Sequence, residues 1–144
     1  MPNDLQSLAN SLEKKIEAIE KAASQSAKDA AMAVITDLAF VTPVDTSQAL
    51  SNWVVTLDSP ANHSIPAHSY GFGGSTKGVS AGETISLAVA VIAQKKPGQP
   101  IYITNNVEYI DNLDKGSSKQ FSGGFARRSE VTASKAFERF TIKD

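Results

Sequence analysis

Apolar residues in the first 41 positions recur at steps of three and four, which is the spacing of one stripe along an α-helix. The stripe contains Leu5, Leu8, Leu12, Ile16, Ile19, Ala23, Ala27, Ala30, Val34 and Leu38. Asn3 or Asp4 is suited to cap the start of this helix, and Pro43 makes Thr42 non-helical at its end. At about 1.5 Å per residue the helix would reach roughly 55 Å, which is long for a chain of 144 residues.

The length of this helix leaves two interpretations open. In the first, the helix lies across its own sheet. In the second, its first half overhangs the body and packs on a neighbouring subunit. The apolar side chains available for that contact are Leu5, Leu8, Leu12 and Ile16. The polar stretch Ser24–Ser26 marks a place where the helix could bend or break.

Two short segments have the β-branched and aromatic composition of strands, residues 53–57 (WVVTL) and residues 101–104 (IYIT). Between them, residues 58–78 are rich in glycine and contain two prolines, which predicts a long irregular loop of the kind that usually has a function. Within this loop, Tyr70 and Phe72 are candidate anchors on a partner subunit. We expect Trp53, at the start of the first strand, to fill the core or an interface.

Residues 79–96 predict a middle helix. Ser80 and Glu83 have the spacing of a capping box at its start. A helical stripe follows at Ile85, Ala88, Val89 and Ile92, although the alternation of Leu87, Val89 and Val91 also permits a strand. Lys95 and Lys96 are placed where cations would suit the helix C-terminus.

A last helix is predicted to start near Ser122 or Gly124. One face of it carries Phe125, Ser129, Thr132, Ala136 and Phe140. The other positions include the basic cluster Arg127, Arg128, Lys135 and Arg139. A solvated helix face, partly offset by Glu130 and Glu138, is the simpler interpretation of this cluster, and contact with DNA is the alternative.

The pattern as a whole predicts an α+β fold, with a long N-terminal helix, a small mostly antiparallel sheet, and middle and C-terminal helices packed on it. We expect a single domain over residues 1–144. In that domain, residues 1–41 form the long helix, which serves partly as an oligomerisation arm in the overhanging interpretation. Residues 42–144 form the α+β body with the loop 58–78.

Composition narrows the choice of function class. The chain is long enough to bury a core, and its formal net charge of −1 gives no whole-chain attraction to DNA or to an acidic membrane. It contains no cysteine, which excludes disulfides, thiolate catalysis and cysteine metal sites. The first residues, MPNDLQ, lack the basic and apolar regions of a signal peptide, and no apolar run has the length of a membrane span.

No residue pattern predicts catalysis, a metal site or a cofactor. The segment GFGGSTKG, residues 71–78, lacks the spacing of a phosphate-binding P-loop. His63 and His68 lack a third ligand for a metal. Asp45 has no partner carboxylate in reach by sequence, so we expect Asp45 or Thr46 to cap the amides that follow rather than to act as a catalytic acid. The chain is therefore predicted not to be an enzyme.

The stretch from residue 101 to residue 120 reads as a strand, a tight turn, a short helix and a polar loop. Asn105 and Asn106 follow the strand, and asparagine tolerates the left-handed conformation of tight turns. Tyr109 begins the short helix, and Gly116 is predicted to end it as a left-handed cap.

This stretch also carries a resemblance. The words I-Y-I-T-N-N, then a Tyr, then L-x-x-G-x-S-x-Q resemble a signature of the tail-completion proteins of tailed bacteriophages, the minor tail protein Z-like neck family. A second signature, T-P-V-D-T followed by N-W, stands at residues 42–46 and 52–53. Ser47 replaces the usual glycine, Ile110 replaces the usual alanine, and Asp114 or Lys115 stands where the family has glutamate. The matched motif positions are Pro43, Asp45, Thr46, Trp53, Asn105, Asn106, Tyr109 and Gly116.

The resemblance implies a structural virion protein. Such proteins form six- or twelve-fold rings between the head connector and the tail, with DNA passing through. The implied partners are further copies of the chain, connector or head-completion proteins, and tail-tube or terminator proteins, with non-specific contact to packaged DNA through residues such as Arg127 and Arg128. The implied location is the virion, after assembly in the host cytoplasm. No membrane or cofactor is implied.

Two other functions remain open from the residues alone. The first is a cytosolic module that binds a peptide or ligand through the loop 58–78. The second is a hydrolase with unrecognised chemistry, which no motif in the sequence supports.

Overall fold

The computed structural model describes residues 4–137. Helix α1 runs from Asp4 to Val41 as one α-helix of 38 residues, about 57 Å long at about 1.5 Å per residue. It continues without a break through Ser24 and Ser26, whose small side chains are both buried. The predicted long helix is confirmed, and the break that the polar stretch allowed is absent.

The remaining elements form a small body on the second half of α1. In chain order they are α2 (Gln48–Ser51), β1 (Val54–Leu57), α3 (Lys77–Ile92), β2 (Ile101–Thr104), α4 (Ile110–Asp114) and α5 (Phe125–Phe137). Strands β1 and β2 pair antiparallel, with Val54 opposite Thr104 and Leu57 opposite Ile101. Helix α3 packs on β1, and α1 contacts α3, β2 and α5. The predicted α+β fold is confirmed.

Trp53 touches two of the three apolar clusters found in the described body. The first joins α1, the sheet and α3 through Ile35, Val55 and Ile92. The second joins α1 to α5 and includes Phe125, whose ring meets that of Trp53 edge-on with centroids 5.2 Å apart. Trp53 therefore fills the core, where edge-to-face aromatic pairs add to the energy of burial.

The capping box predicted at Ser80 and Glu83 is wrong. Helix α3 begins at Lys77, after Thr76, so Ser80 already lies inside the helix. Ser80 is fully buried, and its hydroxyl donates to the carbonyl of Ser69 at 3.4 Å. A serine three residues before a glutamate has the same spacing at a helix N-cap and inside a helix, so the spacing does not distinguish the two positions. The irregular loop consequently ends at Thr76.

The placement predicted for Lys95 and Lys96 is also wrong. Helix α3 ends at Ile92, so neither lysine lies in its last turn. Lys95 instead folds against α1 and is only 8% exposed. Its ammonium donates to Ser24 Oγ and to the carbonyl of Lys96, both at 3.0 Å.

The turn after β2 uses its asparagines differently from the prediction. Among the described non-glycine residues, positive φ occurs at Ser47 and Asp58, so Asn105 and Asn106 are not left-handed. Gly116 is left-handed, with φ of 87°, and follows α4 as predicted. A Cβ at this glycine would lie 2.5 Å from the carbonyl oxygen of Ser122, so two independent constraints require glycine here. In α5, the predicted positions Phe140, Arg139 and Glu138 lie outside the described residues.

Candidate interaction surfaces

The first half of α1 projects from the body. Every residue from Asp4 to Lys21 is exposed, and we call this segment, about 27 Å long, the arm. Its stripe residues remain open to water, with Leu8, Leu12 and Ile16 exposed by 56%, 52% and 54%. Leu5 and Ile19 are exposed as well. Of the two interpretations of the helix, the overhanging one therefore describes the observed geometry, with the second half lying over the body.

The first of the two sequence motifs closes the junction between α1 and β1. Thr42 Oγ1 donates to the carbonyl of Leu38 at 2.6 Å, and the indole N–H of Trp53 donates to Thr42 Oγ1 at 2.7 Å. Pro43 is buried beside them. The hydroxyl thus serves as donor and acceptor at once, and the chain leaves the helix at a fixed angle.

The two motifs, distant in sequence, lie against each other in the structure. Asn105 Nδ2 donates to the carbonyl of Ala49 at 2.8 Å, and Gln120 Oε1 accepts the backbone N–H of Val44 at 3.2 Å. Thr46 and Tyr109 line a shallow pocket at this contact. The motif residues therefore form one structural cluster.

Tyr109 has a perturbed hydroxyl at the same contact. Burial raises the pKa of Tyr109 above its usual value of 10.0. A hydrogen bond with the Ala49 backbone opposes this rise in pKa, and the negative charge of Asp45 reinforces it. The phenol therefore loses its proton at a higher pH than a free tyrosine side chain does.

The motif cluster also holds the long loop. Asp45 Oδ1 accepts the N–H of Gly73 at 2.6 Å, and the Asp45 carbonyl accepts that of Gly74 at 2.9 Å. Asn106 Nδ2 donates to the carbonyls of Ala61 at 3.0 Å and His63 at 3.4 Å. Asp45 therefore secures the loop instead of capping α2, and the capping prediction is wrong at this residue. Long-range backbone partners of this kind leave no signal in local sequence.

The tip of this fixed loop presents two aromatic rings to solvent. Tyr70 and Phe72 are 66% and 74% exposed, and their rings meet edge-on with centroids 5.5 Å apart. Gly71 between them is buried, and a Cβ there would come within 2.6 Å of Ser75 Oγ. The predicted anchor residues thus lie together on the surface, on a backbone that is held in place.

One arginine of the basic cluster on α5 forms an ion pair within the chain. Arg128 donates to both carboxylate oxygens of Asp37 on α1, from Nε at 2.6 Å and from Nη2 at 2.9 Å. This pairing raises the pKa of Arg128 further above its usual range. Arg127 and Lys135 are exposed beside it. Of the two arginines predicted to interact, Arg128 therefore links α5 to α1 and Arg127 is open to solvent.

A groove lies on the body where the arm begins, and sequence reasoning missed it. This groove is a cleft of about 550 Å³ between α1, the end of α5, and the segment formed by β2 and the turn before it. Its apolar lining includes Ala23, Ala27, Ile101 and Phe137, and Lys95 also lines it. Three separate chain segments build this cleft, so no local pattern announces it. The alanines of the stripe were the available signal, since small residues leave room for a partner.

Within residues 4–137, no three His, Asp or Glu side chains come together as metal ligands would. In the same range, no helix has both the length and the apolar character needed to cross a membrane.

Comparison with known proteins gave no relatives: no family model, no curated protein and no solved structure matches this chain.

Proposed function

We propose that this chain is a structural subunit of a bacteriophage neck, which assembles as a homo-oligomeric ring and completes the tail at the head–tail junction. The observation that carries the proposal is the arm, a helical segment whose large apolar side chains are open to water. An apolar patch of this kind marks a protein contact, because fully burying one Leu or Ile side chain contributes about 1.5–3 kcal/mol.

The geometry of Ser47 supports the resemblance on which the phage assignment rests. Ser47 stands where the resembled motif has glycine, and its backbone is left-handed with φ of 70°. Glycine adopts this conformation without steric cost. The position therefore has the backbone that the motif's usual residue would suit, even though this chain carries another residue there.

A ring subunit needs different surfaces toward its two neighbours, because one heterologous contact repeated around an axis closes the ring. The arm and the aromatic loop tip provide protruding surfaces. Arg127 and Lys135 provide exposed positive charge for non-specific contact with packaged DNA. The partners at the ring's two ends would be connector or head-completion proteins and tail-tube or terminator proteins.

The test is made on purified virions of the phage that encodes this chain. We expect mass spectrometry to find the chain at a ring's copy number, and a gold-labelled antibody to bind the head–tail junction in electron micrographs. Disruption of the gene should leave DNA-filled heads unjoined to tails, and joining should return when the gene is supplied in trans. Absence of the chain from purified virions would contradict the proposal.

A second candidate, a cytosolic module that binds a peptide or ligand, is favoured by the fixed loop tip. Rigid exposed aromatics such as Tyr70 and Phe72 are the residues that anchor peptides at low entropic cost. Replacing both by serine would abolish peptide binding in this case. A neck subunit with the same replacements would still enter virions through its arm.

A further inference from the structure

The stripe on α1 repeats every 11 residues, with steps of three, four and four from Leu5 to Leu38. Such a repeat has about 3.67 residues per turn, close to the 3.6 of a straight helix, so the stripe stays on nearly one face. The exposed stripe residues therefore point to almost the same side as Val34 and Leu38, which pack against Phe125. The arm continues the buried face of α1 beyond the end of its own body.

The arm's stripe also has a charged edge of one sign. At about 100° per residue, Glu13 and Glu20 fall along one flank of the stripe, whereas Glu17 lies with Lys14 and Lys21 on the opposite face. Lys15 falls on the other flank. A partner that receives the arm would therefore meet an apolar surface with the carboxylates of Glu13 and Glu20 along one side.

The groove has the complementary character. Its lining is mostly apolar but includes Glu20 of the same chain, and the buried ammonium of Lys95 reaches it with two neutral oxygen acceptors. Among residues 4–137 the ion pair found is that of Arg128 with Asp37, so no described carboxylate, Glu20 included, forms an ion pair with Lys95. A buried cation without a counter-charge is costly, which makes the groove a site for an acidic, apolar partner.

Glu20, near the end of the arm, lines the groove of its own chain, but the apolar residues Leu8, Leu12 and Ile16 cannot reach it. Ala23 and Ala27 line the groove, and the arm is the continuation of the same unbroken helix away from them. A helix that both lines a cleft and leads out of it has no hinge to fold back on. The arm that fits the groove must come from another copy.

We propose that the arm of one copy docks in the groove of a second copy, with Leu8, Leu12 and Ile16 on the groove's apolar lining and a glutamate of the acidic edge paired with Lys95. This contact deepens the proposed function and rests on it for ring closure. The contact itself belongs to the purified chain, so it can be tested apart from any virion.

The test measures mass by light scattering over a concentration series of the full chain. An arm variant, Leu8→Ser with Leu12→Ser and Ile16→Ser, and a groove variant, Ala23→Gln with Lys95→Met, should each stay monomeric where the wild type associates. A one-to-one mixture of the two should form dimers, because one intact arm and one intact groove remain between them. The matched control Leu87→Ser removes an equally exposed leucine from α3 and should associate like the wild type.

Three results would overturn the proposal: a wild type that is monomeric at every concentration, a groove variant that associates normally, or a mixture that stays monomeric. Circular dichroism melts of each variant show whether it folds.

The chain's lack of cysteine allows a second measurement, disulfide cross-linking, that does not depend on the groove substitutions. Single-cysteine variants at Leu8, Leu12 or Ile16, mixed with Ala23→Cys, should give a disulfide-linked pair in at least one combination. None should form with the control Ser86→Cys. If the wild type is monomeric but is found in virions, the arm–groove contact is rejected and the proposed neck function stands. If the arm–groove dimer forms but the chain is absent from virions, the contact stands and the neck function is rejected.

Discussion

The side-chain amide of Asn52 is hydrogen-bonded to the backbone of Ile65 in both directions. Its Oδ1 accepts the N–H of Ile65 at 2.7 Å, and its Nδ2 donates to the carbonyl of Ile65 at 2.8 Å. Asn52 is almost fully buried, so these bonds replace solvent for both partners. Together with Gln48 Nε2, which also donates to the carbonyl of Ile65 at 2.8 Å, this side chain fixes the middle of a long loop to the body.

Replacing Asn52 with alanine should release that loop. The change leaves the half-buried N–H of Ile65 without its partner, while the Ile65 carbonyl keeps its bond from Gln48 Nε2. We expect a loss of about 1–3 kcal/mol in the free energy of unfolding. Urea denaturation measures this loss, and limited proteolysis should show faster cleavage within residues 58–76. Asn62→Ala is the matched control, because Asn62 lies in the same loop but is exposed. Equal effects of the two substitutions would contradict the tether.

Ser47 should respond unusually to substitution because its backbone is left-handed. Ser47→Ala keeps the strained conformation and loses the 2.8 Å hydrogen bond to Thr76 Oγ1. Ser47→Gly loses the same bond but relieves the strain, so it should be more stable than Ser47→Ala by about 1 kcal/mol. Thermal melts of the two variants measure the difference. A Ser47→Ala variant as stable as Ser47→Gly, or more stable, would refute the assignment of strain.

The Arg128–Asp37 pair should contribute little to stability in spite of its good geometry. Arg128 is exposed and its pair with Asp37 is open to solvent, so Arg128→Ala should cost below about 1 kcal/mol, and less at high salt. Chemical denaturation at two ionic strengths tests this. Arg127→Ala, which removes an exposed neighbouring charge, is the comparison. A salt-independent loss of several kcal/mol would mean that the pair has a different role.

Tyr109 should make stability fall at alkaline pH. Its pKa is raised in the folded chain above the usual 10.0, chiefly by burial, so the unfolded chain loses this proton first. The contribution is therefore fully present below pH 10 and is lost as the pH rises through the folded-state pKa. The stability difference between the wild type and Tyr109→Phe, measured by denaturation on both sides of pH 10, should move against the wild type as pH increases. A difference that is constant with pH would contradict the raised pKa of this phenol.

The sequence was sufficient where a feature follows from local periodicity. The stripe of α1 gave its extent to within a residue, and the strand at Ile101–Thr104 and the left-handed Gly116 were also predicted. Prediction from the sequence failed where the same local pattern occurs in two different structural settings. Ser80 has a cap's spacing to Glu83 but serves as a buried donor, and Lys95 stands after a helix but turns back to α1.

The candidate surfaces likewise divide into those that local sequence predicted and those that it did not. The exposed stripe and the aromatic pair of the loop were named from composition, because an overlong amphipathic helix and a long loop are visible in the chain itself. Sequence composition did not predict the roles of Asp45, Asn52 and Asn106. Each of them bonds to backbone groups of a distant segment, and such groups carry no residue-specific signal. The groove was missed for the same reason.

The shared helix has a dynamic consequence. Starting a helix is the costly step, whereas extending one from an existing turn is nearly neutral. The buried half of α1 acts as a permanent nucleus for the arm, so the arm needs no partner to begin its winding. In the isolated chain, amide hydrogen exchange should therefore be graded along one helix, slow at Ala30 and progressively faster toward Asp4. Docking would flatten that gradient, and the subunit would convert a fraying end into a rigid one without any change of fold.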